Sequence, residues 1–257
     1  FFLTAWFPAG TISGGTVNIT GTASGNGAAG LLIEGETVSS STSMHLKAIN
    51  GDLQIAALDN GSTLSSSGFM TLEATGTVTA PAPSASPVPV QAAVRVDSAS
   101  TATSNGEISF IADTVQVDGL VSSGTARTVF MPSTTSRAIS LGGTDETGKL
   151  NLTGAELNNL TAGTIVVGGG TFTGGLLVEG LIGPSASALS LIQAPTATIA
   201  QSAGATITVS GLNADAGTVT LSEANNVQTI SGRAHDMAGT GFTFSNAGGT
   251  ALSVGTV

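Results

Sequence analysis

The sequence predicts an all-β chain that winds into a right-handed parallel β-helix, a β-solenoid with about 20 residues per rung. Three observations support this. Only 9% of the 257 residues are charged, 36 are Gly, and short alternating runs recur throughout. Thr, Ser, Gly, Ala and Val dominate, which suits short strands and tight turns. Aromatic residues, which anchor most two-sheet sandwich cores, make up only 4%, and this favours a coil over a sandwich.

Each predicted strand is a run of a few residues in which apolar and polar side chains alternate, the pattern of a half-buried strand. The runs span 16–19, 31–33, 44–47, 53–55, 69–72, 94–96, 108–111, 115–117, 139–141, 165–167, 207–209, 219–221, 242–244 and 252–254. Turns are predicted at Asn26-Gly27, Asn50-Gly51, Asn60-Gly61 and Asn105-Gly106, because Asn and Gly both tolerate a positive φ.

Two segments interrupt the strand pattern. Residues 81–90 are rich in proline, which lacks a backbone N–H, so we expect a loop extruded from the coil. Residues 153–160 predict one short helix. Thr153 and Glu156 have the spacing of a capping box, and Leu157 with Leu160 forms a one-sided apolar stripe.

We divide the chain into an apolar N-terminal segment, 1–10, and a single β-solenoid, 11–257. The first segment holds four of the ten aromatic residues. It is either a cap on the coil or a contact with another subunit, since clustered apolar side chains mark interfaces. The residues predicted to make such a subunit contact are Phe1, Phe2, Leu3, Trp6 and Phe7.

Composition excludes several classes of function. The absence of Cys rules out disulfides, thiolate metal sites and a cysteine nucleophile. Six basic residues and a net charge of −10 cannot form a basic patch, so we expect no nucleic-acid partner. No apolar run is long enough for a membrane span.

The groups that carry acid–base chemistry are few, and we expect no catalytic residue, metal or cofactor. Alternation directs His45 outward beside Lys47, a solvated position. His235 lies in a charged turn. The acidic pairs Glu34/Glu36 and Asp145/Glu146 are isolated, whereas polysaccharide-cleaving β-helices need several convergent carboxylates. Asp145 and Glu146 therefore predict a polar turn rather than an active site.

Pairs of threonines in a Thr-x-Thr pattern recur at Thr171/Thr173, Thr196/Thr198, Thr206/Thr208 and Thr218/Thr220. A flat threonine ladder is able to bind ice or a glycan. The spacing between these pairs is irregular, however, so we interpret them as ordinary polar strand faces.

Segments of the second half of the chain resemble the repeat region of filamentous-haemagglutinin-like proteins. The matching segments are 137–143, 150–157, 160–168, 221–227, 230–233 and 242–247. The resemblance implies a large bacterial exoprotein with a right-handed parallel β-helix, exported by two-partner secretion or as an autotransporter-like passenger. The Asn-Pro-Asn type motif of that family's secretion domain is missing, so the resemblance implies an interior segment of a longer chain.

These observations predict a structural or adhesive extracellular protein rather than an enzyme, on the surface of a Gram-negative bacterium. Self-association, end to end or lateral, is the expected mode of assembly. The alternative is a stalk that binds cell-surface or host glycans without assembling. A β-helical enzyme acting on polysaccharides is a distant third.

Overall fold

The computed structural model describes residues 10–23, 29–56, 61–79, 89–91, 93–236, 241–247 and 251–255. In these ranges the chain forms 25 β-strands and one helix. The strands are β1 (Thr11–Thr22), β2 (Ala29–Glu34), β3 (Thr37–Ile49), β4 (Asp52–Ala56), β5 (Thr63–Ser66), β6 (Phe69–Thr75), β7 (Thr77–Thr79), β8 (Pro89–Gln91), β9 (Ala93–Val96), β10 (Thr101–Ser104), β11 (Ile108–Ile111), β12 (Thr114–Val117), β13 (Leu120–Ser122), β14 (Arg127–Met131), β15 (Ala138–Leu141), β16 (Lys149–Leu152), β17 (Leu160–Thr161), β18 (Thr164–Gly168), β19 (Leu176–Val178), β20 (Ala188–Ile192), β21 (Thr198–Gln201), β22 (Thr208–Ala216), β23 (Thr218–Ala234), β24 (Phe242–Asn246) and β25 (Ser253–Val254); the helix is α1 (Gly154–Asn158). The all-β prediction and the predicted short helix are confirmed.

Contacts divide the chain into two compact units that meet at Ala126/Arg127. The first unit is a parallel β-helix with three sides. One side is built from the start of β1, the start of β3, and β5, β10 and β13. The second contains the rest of β1 and β3 with β6 and β11. The third contains β2, β4, β9 and β12.

The second unit is built in the same way. One side stacks β14, β18, β20, β22, the end of β23, and β25. Another stacks β16, β15, β19, β21, the start of β23, and β24. All these pairings are parallel, so the predicted parallel β-helix is confirmed in each unit. The single continuous solenoid over 11–257 stays a prediction, as does its right-handed coiling, which is the rule for parallel crossovers.

Rungs differ in length because the loops at the corners differ. Register partners lie 18 residues apart at Thr208 and Asn226, and 27 apart at Thr16 and Ser43. The predicted rung of about 20 residues is therefore near the short end of this range. One longer rung, from β5 to β10, contains β7 and β8, which pair antiparallel. Most of the predicted proline-rich loop, 81–90, lies outside the described residues.

The core consists of columns of apolar side chains stacked from rung to rung. On one side of the first unit the buried column runs through Val38, Leu64, Ala102 and Val121. Two neighbouring columns contain Met44, Met70 and Ile108, and Leu46, Leu72 and Phe110. Each rung therefore buries the apolar surface of the next, which is the main source of stability in a stacked fold.

Positive-φ residues make the tight corners. Asn50 has a φ of 54° and Gly61 a φ of 67°, so two of the predicted Asn-Gly turns use the expected left-handed backbone. At Gly61 a Cβ atom would lie 1.9 Å from the carbonyl oxygen of Ala99. Only glycine fits there, because the chain passes directly beneath the next rung.

Helix α1 begins as predicted. The Thr153 hydroxyl accepts a hydrogen bond from the Glu156 N–H at 3.2 Å, and the Glu156 carboxylate accepts one from the Thr153 N–H at 2.8 Å. Leu157 and Leu160 are buried against the coil. Within the described residues, no helix has the length and apolarity needed to cross a membrane.

A buried amide fixes the register of the second unit. The Asn225 side chain is fully buried. Its oxygen accepts from the Ile207 N–H at 2.9 Å and from the Gln201 amide at 2.7 Å. Its nitrogen donates to the carbonyls of Leu221 at 3.2 Å and Ser245 at 3.0 Å. One side chain thus joins three rungs, and removing it leaves several buried groups without partners.

We therefore expect Asn225→Ala to lower the free energy of unfolding by about 3 kcal/mol, measured by urea denaturation. Asn226→Ala is the matched control, because the neighbouring Asn226 side chain is exposed; its change should stay within about 0.5 kcal/mol. Equal losses in the two variants would show that the buried amide contributes no specific hydrogen bonding.

Candidate functional site

A repeated tripeptide begins five strands on one side of the first unit. Each tripeptide has an apolar middle residue, which points into the core, and two outward flanking residues. The five are Thr11-Ile12-Ser13, Thr37-Val38-Ser39, Thr63-Leu64-Ser65, Thr101-Ala102-Thr103 and Leu120-Val121-Ser122. Nine of the ten outward positions are therefore hydroxyl residues. We call these nine residues, without Leu120, the hydroxyl face.

The hydroxyl face forms two straight columns, because the five strands are parallel and in register. Thr11, Thr37, Thr63 and Thr101 are successive partners in one column. Ser13, Ser39, Ser65, Thr103 and Ser122 form the other. Neighbouring hydroxyls are about 4.8 Å apart within a column and about 6.6 Å apart between columns. The result is a flat, regular and uncharged lattice of donors and acceptors.

Leu120 ends the threonine column. It occupies the position of a fifth threonine and is 62% exposed. The lattice therefore has four rungs in one column and five in the other, with an apolar corner at Leu120.

A groove of about 310 Å³ lies along one margin of the hydroxyl face. Its lining consists of six serines together with Thr103, Asn105 and Gly124. Ser65, Thr103 and Ser122 belong to both the face and the groove. Ser66 and Ser104 lie deeper, each 6% exposed. The groove is thus lined by neutral polar groups from several successive rungs.

Unequal rungs hid this face in the sequence. The tripeptides begin at 11, 37, 63, 101 and 120, so no fixed period relates them. A search for Thr-x-Ser or Thr-x-Thr segments that each end a Gly- or Glu-bounded turn would have found most of them. The Thr-x-Thr pairs that the sequence did suggest lie elsewhere; of these, Thr198 and Thr218 come into register, while Thr208 pairs with Asn226.

Charged side chains of the first unit pair on a different side of the coil. His45 points outward as predicted, while Met44 and Leu46 are buried. Its Nε2 lies 2.9 Å from Glu73, and the Lys47 Nζ lies 2.6 Å from the same carboxylate. Burial alone would raise the pKa of Glu73, but the hydrogen bonds from Lys47 and His45 outweigh it and lower that pKa.

A second charged cluster lies in the second unit. The Lys149 Nζ contacts Glu179 at 2.6 Å and Glu146 at 2.8 Å. Hydrogen bonds to the two carboxylates raise the pKa of Lys149, and the bond from Lys149 lowers the pKa of Glu179. Asp145 and Glu146 lie in the exposed turn before β16, as predicted. The arrangement joins two rungs by an ion pair.

His235 follows β23 directly, and its Nε2 lies 2.7 Å from Asp215 on the neighbouring rung. Within the described ranges, no three His, Asp or Glu side chains are grouped so that they would hold a metal ion. The residues predicted to contact another subunit, Phe1, Phe2, Leu3, Trp6 and Phe7, lie outside the described residues. The hydroxyl face is therefore the candidate site that the structure adds to the sequence.

The lowered pKa of Glu179 predicts a dependence of stability on pH. Because the carboxyl is more acidic when folded than its ordinary value of 4.5, its contribution is complete above that pH and is lost as the pH falls through the folded pKa. We expect Glu179→Gln to flatten the fall in unfolding free energy below about pH 4.5. Chemical denaturation at a series of pH values measures this.

Lys149→Met should flatten the same acid limb, and combining it with Glu179→Gln should add little, because the two residues share one ion pair. Fully additive effects would contradict a specific pairing between them.

No protein-family model, curated protein or solved structure matches this chain. The parallel β-helix implied by the resemblance to filamentous-haemagglutinin-like proteins is present in the structure. Membership of that family remains a prediction.

Proposed function

We propose that this chain is a structural and adhesive β-helix, part of a large exoprotein of the filamentous-haemagglutinin type. We place it outside the cell, at the surface of a Gram-negative bacterium, with no catalytic role. The observation that carries the proposal is the hydroxyl face, a flat lattice repeated over five rungs. Such a face is suited to contact with an extended partner rather than to chemistry on a small substrate.

The adhesive part of the proposal rests on the chemistry of the lattice. Each Thr or Ser hydroxyl is both a donor and an acceptor, as is each hydroxyl of a glycan. The backbone beneath the face is fixed by ladders on both sides of β3, β5 and β10. Little conformational entropy is therefore lost when a glycan docks, which favours many weak contacts over one strong one.

The structural part rests on two apolar side chains that continue core columns but are exposed. Ile12 is the register partner of the buried Val38 and is 47% exposed. Val254 is the partner of the buried Ile230 and is 86% exposed. A second copy that stacked a further rung on either residue would bury it. End-to-end self-association is thus the mode of assembly we propose.

Electron microscopy and sedimentation velocity of the purified chain test assembly. We expect ordered filaments, and we expect Val254→Glu to weaken self-association about tenfold or more, because the interface would lose a buried Val and gain a charge. Ser253→Glu is the control, since the adjacent side chain is exposed on the opposite side of the same strand. A chain that stays monomeric at all concentrations would favour the alternative, a glycan-binding stalk that does not assemble.

Adhesion is tested separately by co-sedimentation with insoluble polysaccharides, both neutral and acidic. We expect Thr37→Val with Thr63→Val to reduce binding several-fold, because each change removes one lattice hydroxyl and preserves side-chain shape and strand preference. Thr198→Val with Thr218→Val is the matched control, an in-register threonine pair in the second unit. Wild-type chain that binds none of the polysaccharides would overturn the adhesive role.

A further inference from the structure

We infer that the groove beside the hydroxyl face is a subsite for a neutral saccharide, and that it discriminates against acidic sugars. This rests on the adhesive role proposed above and assigns that role a ligand class. The argument depends on which way the groove hydroxyls donate their protons.

Four hydroxyl protons of the groove point into the protein. Ser104 donates to the Gly68 carbonyl at 2.5 Å, and Thr103 donates to the Leu64 carbonyl at 3.2 Å. A carbonyl oxygen has no proton to give, so the direction of both bonds is settled. What these two hydroxyls offer to a ligand is their oxygen lone pairs.

The remaining two protons follow the same logic. Ser66 donates to the Phe69 carbonyl at 3.0 Å, so the 2.9 Å bond between Ser40 and Ser66 must be donated by Ser40. Ser40 and Ser66 are both buried and held in place by these bonds. The deep wall of the groove is therefore a fixed set of acceptors rather than a set of freely rotating hydroxyls.

A wall of acceptors selects a ligand that brings donors. Sugar hydroxyls are donors, whereas a carboxylate or sulfate only accepts and would face lone pairs. The net charge of −10 also repels acidic polysaccharides. The exposed Asn105 at the margin of the groove adds an amide that both donates and accepts, the pair needed to hold adjacent sugar hydroxyls.

The dimensions agree with a small saccharide. A volume of about 310 Å³ lies at the lower end of the range for small-molecule sites, which suits one or two sugar rings. Because Ser65, Thr103 and Ser122 are shared with the hydroxyl face, a chain bound in the groove continues onto the lattice. The groove supplies selectivity, and the lattice supplies the extended contact.

Amide-resolved NMR titration of the full chain tests this inference. The probes are maltotriose, cellotriose and chitotriose as neutral sugars, trigalacturonate as the acidic one, and potassium chloride alone. We expect at least one neutral trisaccharide to shift the amides of Thr103, Asn105 and Gly124, and trigalacturonate to shift none of them. Shifts of the same amides by potassium chloride alone would mean a cation site and would overturn the inference.

Thr103→Val should weaken neutral-sugar binding about three- to tenfold, the loss expected for one hydrogen bond. Thr101→Val is the control, because Thr101 lies on the same strand but does not line the groove. Circular dichroism checks that both variants fold. Equal affinities of the two variants, equal binding of trigalacturonate, or no shift with any neutral sugar would each overturn the subsite.

The two proposals fail differently. If the chain sediments with polysaccharides but the groove amides do not respond to trisaccharides, the subsite is wrong and the adhesive role stands. If neither assay detects binding, both are wrong.

Discussion

In-register parallel stacking is the constraint on which the rest of this structure depends. Each inward side chain must pack on the one a rung earlier, so a column such as Val38, Leu64 and Ala102 has to remain apolar throughout. A shift of one residue would exchange the core and surface faces of a strand. Buried amides reinforce this: Asn225 satisfies backbone groups on neighbouring rungs, and those bonds form in one register only.

The outer surface inherits the same lattice. Once Val38 and Leu64 are aligned in the core, Thr37 and Thr63 are aligned outside it, whatever the loops between them do. The regularity of the hydroxyl face thus follows from core packing and needs no repeat in the sequence. It also explains why the face is rigid, since a residue on this lattice moves only if its rung moves.

The same relation explains what the sequence predicts well and what it does not. Alternation is local, and so the run at 44–47 and the capping box of Thr153 and Glu156 were identifiable from neighbouring residues. Contacts between rungs are not local. His45 meets Glu73 28 residues away, and Lys149 meets Glu179 30 away. Because loop lengths vary, no fixed spacing reveals such pairs, and the hydroxyl face was missed for the same reason.

Charge in the first unit is kept away from the hydroxyl face. The outward side chains of His45, Lys47 and Glu73 pair with one another on the second side, and Arg95 pairs with Asp52 on the third. The hydroxyl face carries no charged residue, in a chain with a net charge of −10. Hydroxyls cost far less to desolvate than carboxylates. The first unit therefore has one side where a large, flat and neutral partner docks without stripping water from ions, and two sides whose paired charges keep the coil in solution.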